Sequence, residues 1–120
     1  MKLTLLFIPL ITLLIFLSAC SKPPADTKNY DVLAKCMTAS GATMYGTEWC
    51  PHCKDQKAIF GNSFKYINYV DCDKYKDTCI GAGVEGYPTW KINNTYYAGT
   101  QNIYYLASRT GCVAELENAT

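Results

Sequence analysis

The sequence predicts a single α/β domain: a mixed four-stranded sheet flanked by helices, with an extra helix at its N-terminal end. Three observations carry this. The chain has 120 residues, 49% hydrophobic and 18% charged, the size and composition of one globular domain. Short β-rich runs alternate with helical patterns along it. The last two β-rich runs are separated only by Asn93-Asn94, a tight-turn signal that joins them as a hairpin.

Each element has its own reason. Asn29 to Ser40 carries Val32, Leu33, Cys36 and Met37 at helical spacing, with Asn29 or Asp31 to cap it and Gly41 to stop it. Ala42 to Tyr45 is a short apolar run and reads as a buried strand. Lys54 to Phe60 sets Ala58, Ile59 and Phe60 against Lys54, Asp55 and Lys57, an amphipathic helix ended by Gly61. Lys65 to Val70 alternates and is rich in Tyr, Ile and Val, which predicts the second strand. Tyr75 to Ala82 can form a short helix, bounded by Gly81 and Gly83. Pro88 to Ile92 and Thr95 to Ala98 are the hairpin strands. Gln101 to Arg109 places Ile103, Leu106 and Ala107 on one helical face, before Gly111. The first strand-helix-strand is expected to be a right-handed parallel unit.

Residues 1–19 are a different kind of segment. Lys2 precedes an apolar run from Leu3 to Leu17. A helix of that run spans about 22 Å, short of a hydrocarbon core of roughly 30 Å. A charged start, an apolar middle and small residues at the end describe a secretory signal. Its end, Leu17-Ser18-Ala19-Cys20, is similar to the lipobox of bacterial lipoproteins, which implies lipidation of Cys20; the alternative is an uncleaved N-terminal anchor with an incidental cysteine. Residues 20–28 contain Pro23-Pro24 and no large apolar side chain beyond Cys20, and read as a tether. The folded domain is then 29–120. The expected location is outside the cytoplasm, anchored by lipid to a bacterial membrane and facing the periplasm or the cell exterior. Formal net charge is +1 with both signs interspersed, which argues against nucleic acid as a partner.

Export changes the meaning of the seven cysteines, because thiols pair in an oxidising compartment. Cys50-Pro51-His52-Cys53 lies where the first strand ends and a helix begins. First-turn amides have no intrahelical partner, and the helix dipole adds partial positive charge there. Both favour a thiolate at Cys50. Pro51 suits the first helical turn, and a protonated His52 adds charge beside the thiolate. Cys53 lies one turn further in. The expected roles are attack at Cys50 and resolution by Cys53. A c-type haem site needs histidine directly after the second cysteine, where this chain has Lys54. A structural zinc site normally needs two ligand pairs, and here the other cysteines are scattered. No metal or other cofactor is implied. A purely structural Cys50–Cys53 staple is the bland alternative. The second candidate element is Gly86-Tyr87-Pro88-Thr89, in which Pro88 either forms a cis peptide bond or simply starts a strand in trans.

A CxxC at a helix start followed by Tyr-Pro-Thr resembles the thioredoxin superfamily. That resemblance implies a cis Pro88 packed on the CxxC, with Tyr87 and Pro88 meeting the bound substrate chain. Ala42-Thr43-Met44-Tyr45, Trp49 to Cys53, Gln56-Lys57, Phe60-Gly61, Tyr69-Val70-Asp71-Cys72, Ala82-Gly83-Val84 and Gly86 to Trp90 more specifically resemble the thioredoxin-like domain fused to bacterial and plant vitamin K epoxide reductase homologues. In those fusions the domain passes electrons from folding proteins to a quinone-reducing membrane domain. The likeness implies a thiol oxidase, with thiol-bearing proteins as substrates and a separate quinone-linked membrane oxidoreductase, vitamin K epoxide reductase-like or DsbB-like, as partner. The Pro-His dipeptide is also similar to that of the oxidant DsbA. Cys72 and Cys79 lie close in sequence, and the family's cysteine pair in their region implies a structural disulfide between them, with an electron relay as the alternative. Cys36 and Cys112 remain. Pairing them would close a long loop, a contribution on the order of 4 kcal/mol; if their helices lie on different faces they are two thiols instead. Many thioredoxins carry a buried acid in the strand before the motif, whereas this strand offers Met44 and Tyr45, and the nearest acid is Glu48.

Two other functions fit the same residues. The chemistry can run backwards, as a reductase or isomerase kept reduced by a membrane electron donor. A non-catalytic binding module of the same fold would use the CxxC only as a staple.

Overall fold

A computed structural model describes residues 28–119. The predicted signal segment, the lipidation site Cys20 and nearly all of the tether lie outside those residues. The order is α1 (Asp31–Ala39), β1 (Thr43–Gly46), α2 (Pro51–Phe60), a 3-10 helix (Gly61–Tyr66), β2 (Tyr69–Asp71), α3 (Lys76–Gly81), β3 (Thr89–Ile92), β4 (Thr95–Ala98), α4 (Ile103–Thr110) and α5 (Val113–Glu117). The sheet order is β2-β1-β3-β4. β1 and β2 are parallel, with α2 as the crossover, and the β1–β3 and β3–β4 pairs are antiparallel. The fold is thioredoxin-like.

Side-chain alternation along β1 sorts the interior. Met44 points into the main core, which gathers Leu33, Phe60, Trp90, Ile92, Ile103 and Leu106. Tyr45 points the other way, into a smaller cluster with Cys72 and Cys79. The helices are thereby committed to the sheet: α4 buries Ile103, Leu106 and Ala107, the face the sequence predicts. The β3–β4 turn uses Asn93 and Asn94, both at positive φ (50° and 61°), the backbone that a two-residue hairpin with right-handed strand twist requires. Among the described residues, no helix is long and apolar enough to cross a membrane.

Three local expectations are corrected. The strand predicted over Lys65–Val70 is confined to Tyr69–Asp71, because residues 61–66 wind into the 3-10 helix. Thr38 Oγ1 donates to Tyr66 O (2.7 Å) and accepts from Asn68 N (3.0 Å), tying these backbone groups to α1, and only from the Asn68 carbonyl, which accepts from Met44 N (2.9 Å), does the stretch join β1. At the start of α1, neither Asn29 nor Asp31 is the N-cap. Tyr30 holds that position without a side-chain cap, while Asn29 Oδ1 accepts from Asp31 N (2.9 Å) in a turn just outside the helix. Ser63 completes the arrangement, accepting from Tyr30 N and donating to Asp31 Oδ1. Finally, α5 follows Gly111 as a helix the sequence pattern did not announce. It is five residues long and buries only Leu116, too short for a periodic signal.

Candidate redox site

The site is built at the junction of β1 and α2. Cys50 is the N-cap of α2, in extended backbone, and Pro51 takes the first helical position, where a missing N–H costs nothing. The Cys53 N–H donates to Cys50 Sγ at 3.3 Å, so the first sulfur satisfies one of the helix's orphan amides. The Cys50 thiol in turn donates to the carbonyl of Tyr87 at 3.6 Å. The Tyr87–Pro88 bond is cis, and Pro88 is fully buried. Cys50, Pro51, Cys53, Tyr87 and Pro88 therefore form one constellation at a single end of the sheet, where β1 leaves it and the antiparallel β3 enters.

The two sulfurs have different surroundings. Both cysteines are buried and unbridged. Cys50 has 5% of its surface exposed, while Cys53 has none. Burial pushes the Cys53 thiol up to about 12, and the Cys50 sulfur beside it adds to the rise. The Thr47 backbone and the Lys57 charge oppose it. A dithiol of this kind can close to a disulfide and exchange with an incoming thiol, the outer sulfur being the reachable one.

His52 lies at the surface, its Nδ1 3.8 Å from Asp55 Oδ2. Both side chains are largely exposed, so this pairing is weak. The His52 carbonyl accepts from Thr100 Oγ1 (3.1 Å), tying the motif to the segment after β4. Trp49 is exposed and meets Tyr87 edge-on, with ring centroids 6.4 Å apart.

Several supporting residues carry little signal in the sequence. Gly46 ends β1 directly beneath Cys53: a Cβ there would lie 2.9 Å from Cys53 Sγ and 3.3 Å from the Tyr69 ring. Gln56 is fully buried on α2. Its Oε1 accepts from Trp90 Nε1 (3.0 Å) and Gln101 N (2.6 Å), and its Nε2 donates to Gln101 O (3.1 Å). Only the mid-helix position of a neutral polar residue between charged ones hinted at this. Lys57 Nζ pairs with Glu48 Oε1 at 2.7 Å and sits 4.1 Å over the Tyr69 ring. Glu48 is itself exposed, and the Lys57 hydrogen bond holds its carboxyl below the usual range.

The other four cysteines among the described residues form two disulfides. Cys36 and Cys112 are disulfide-bonded across 76 residues, joining α1 to the N-cap of α5. Cys72 and Cys79 are bonded across 7, between the end of β2 and α3. The second bridge lies in the small cluster against which Tyr87 also packs.

This chain is similar to a thiol-disulfide oxidoreductase. It is 41% identical over 97 residues to "Thiol-disulfide oxidoreductase LTO1" of Arabidopsis thaliana, a match covering 73% of this chain and 26% of the plant protein. The chain thus spans about a quarter of the length of the curated relative it matches. No family model matches.

Proposed function

We propose that this protein is an exported thiol-disulfide oxidoreductase working as a disulfide-forming oxidase. The observation that carries the reading is the bonding of Cys50: an N-cap sulfur that accepts the Cys53 amide and faces the carbonyl before a cis proline. The name of the plant relative supports the same class of chemistry.

The steps follow from the asymmetry of the two sulfurs. In the oxidised form, a substrate thiolate attacks Cys50 Sγ, the Cys50–Cys53 bond breaks and Cys53 leaves as thiolate. A second substrate thiolate then attacks the mixed disulfide. The substrate departs as a disulfide, and both cysteines are left reduced. The Cys53 amide stabilises negative charge on Cys50. Tyr87 and Pro88 flank the substrate chain, with Trp49 exposed beside them. His52, when protonated, adds positive charge at the rim.

A quinone-linked membrane oxidoreductase, vitamin K epoxide reductase-like or DsbB-like, reoxidises the pair. A lipid on Cys20 would keep the domain at the same membrane. The likeness of the motifs to the fused domain supports this partner, as does the lipobox-like end of the leader.

Cells expressing the full chain, quenched in acid and alkylated, test the direction. Cys50 and Cys53 blocked against alkylation at steady state support the oxidase; both alkylated point to a reductase held reduced. Cys50→Ser separates either from a binding module, since only a module keeps its function.

A further inference from the structure

We infer that Lys57 is a positioning residue for the Cys53 thiolate, held against it by Glu48 and Tyr69; the inference rests on the disulfide exchange proposed above.

The geometry begins with α2. Residues 53 and 57 are one helical turn apart on the same face. Cys53 Sγ lies against Gly46, and the edge of the Tyr69 ring touches the same glycine from β2. Over the face of that ring stands the Lys57 ammonium, 4.1 Å from its centroid and 5.4 Å from the centroid of Phe64. Glu48, in the loop between β1 and α2, fixes the ammonium from outside at 2.7 Å. The Lys57 side chain is 22% exposed. Its charge therefore lies over an aromatic ring whose edge meets the same glycine as the buried sulfur, with less water between than at the surface.

Cys50 has already taken the amide of the first helical turn, which leaves the Thr47 backbone and the Lys57 charge to favour a thiolate at Cys53. The charged and titratable groups facing this corner are Cys50 and Lys57 from α2, Glu48 from the loop, and Tyr69 and Asp71 from β2. Among the described residues facing it, Lys57 alone is a cation. Tyr69 is not bonded to the sulfur: among the described residues its buried hydroxyl makes no hydrogen bond of good geometry, and burial, followed by the nearby Glu48 and Asp71 charges, pushes its pKa up.

The step served is the breaking or making of the Cys50–Cys53 bond. In the oxidising direction Cys53 leaves carrying the bonding electron pair, and water later supplies its proton. In the reverse direction the Cys53 proton goes to water or a buffer base. The thiolate then bonds Cys50 Sγ and expels the partner thiolate. Lys57 lowers the energy of the same thiolate in both.

The reaction of the reduced protein with dithiobis(nitrobenzoic acid) separates the steps. Attack by Cys50 releases a first thionitrobenzoate, and attack by Cys53 on the resulting mixed disulfide releases a second. Lys57→Met is expected to leave the first phase near wild type, slow the second about tenfold at neutral pH and move its pH profile up by about one unit. Lys57→Arg is expected to restore both. An unchanged second phase in Lys57→Met overturns the inference. So does Tyr69→Phe slowing that phase as much as Lys57→Met, since the hydroxyl would then carry the effect. Loss of the first phase in the wild type would instead sink the exchange reading beneath it.

Discussion

Cys53 and Gly46 are in direct contact: the sulfur occupies the space a Cβ at residue 46 would need, 2.9 Å away. The strand before the motif thus positions the inner cysteine by what it lacks. Gly46→Ala is expected to force Cys53 and the Tyr69 ring outward and to destabilise the reduced protein by about 1–3 kcal/mol. Thermal unfolding measures this; an unchanged midpoint would mean that the contact relaxes without strain.

Gln56 joins α2 to β3 and to the segment before α4. Gln56→Leu leaves the Trp90 indole N–H and the Gln101 amide without their acceptor, at a cost of about 2–4 kcal/mol in urea unfolding. A loss under about 1 kcal/mol would show that water replaces the glutamine.

The raised Cys53 pKa makes a statement about stability. The thiol has a reference value of 9.0 and is pushed up to about 12 in the folded dithiol protein. Below pH 9 both folded and unfolded states hold the proton, and its contribution is fully present. Between about 9 and 12 the unfolded chain releases the proton first, so stability falls as pH rises. Stability curves of the reduced protein and of Cys53→Ser are expected to diverge in this window. Tyr69 adds alkaline dependence of its own, which both proteins share. Parallel curves would contradict the burial of the thiol.

The two disulfides are unequal as constraints on the unfolded chain. Chain entropy gives about 4.5 kcal/mol for the Cys36–Cys112 bridge, across 76 residues, and about 2.4 kcal/mol for Cys72–Cys79, across 7. Paired alanine variants, compared by denaturant unfolding, are expected to rank in that order. The reverse ranking would show that native packing around Cys72 and Cys79 outweighs loop length.

Much of the fold was legible because each boundary had a chemical cause in the sequence. Pro51 after Cys50 and Gly61 after Phe60 delimit α2, and Asn93-Asn94 dictates a two-residue turn. The misread stretch, Lys65 to Val70, has strand-like alternation, yet Thr38 from α1 takes its backbone groups. Such a tertiary hydrogen bond leaves no local pattern. The same holds at the site. The motif itself is a local signal, whereas Gly46, Gln56 and the Lys57–Tyr69 stack acquire their roles only when β1, β2 and β3 come together. Gly46 follows the predicted first strand with no motif of its own, and Lys57 reads as part of the polar face of the amphipathic helix.

The reduction potential of the Cys50–Cys53 couple, measured on the full chain against glutathione, tests the central claim most directly. The oxidase reading predicts a value near that of DsbA, about −120 mV, while a value near that of thioredoxin, about −270 mV, would contradict it.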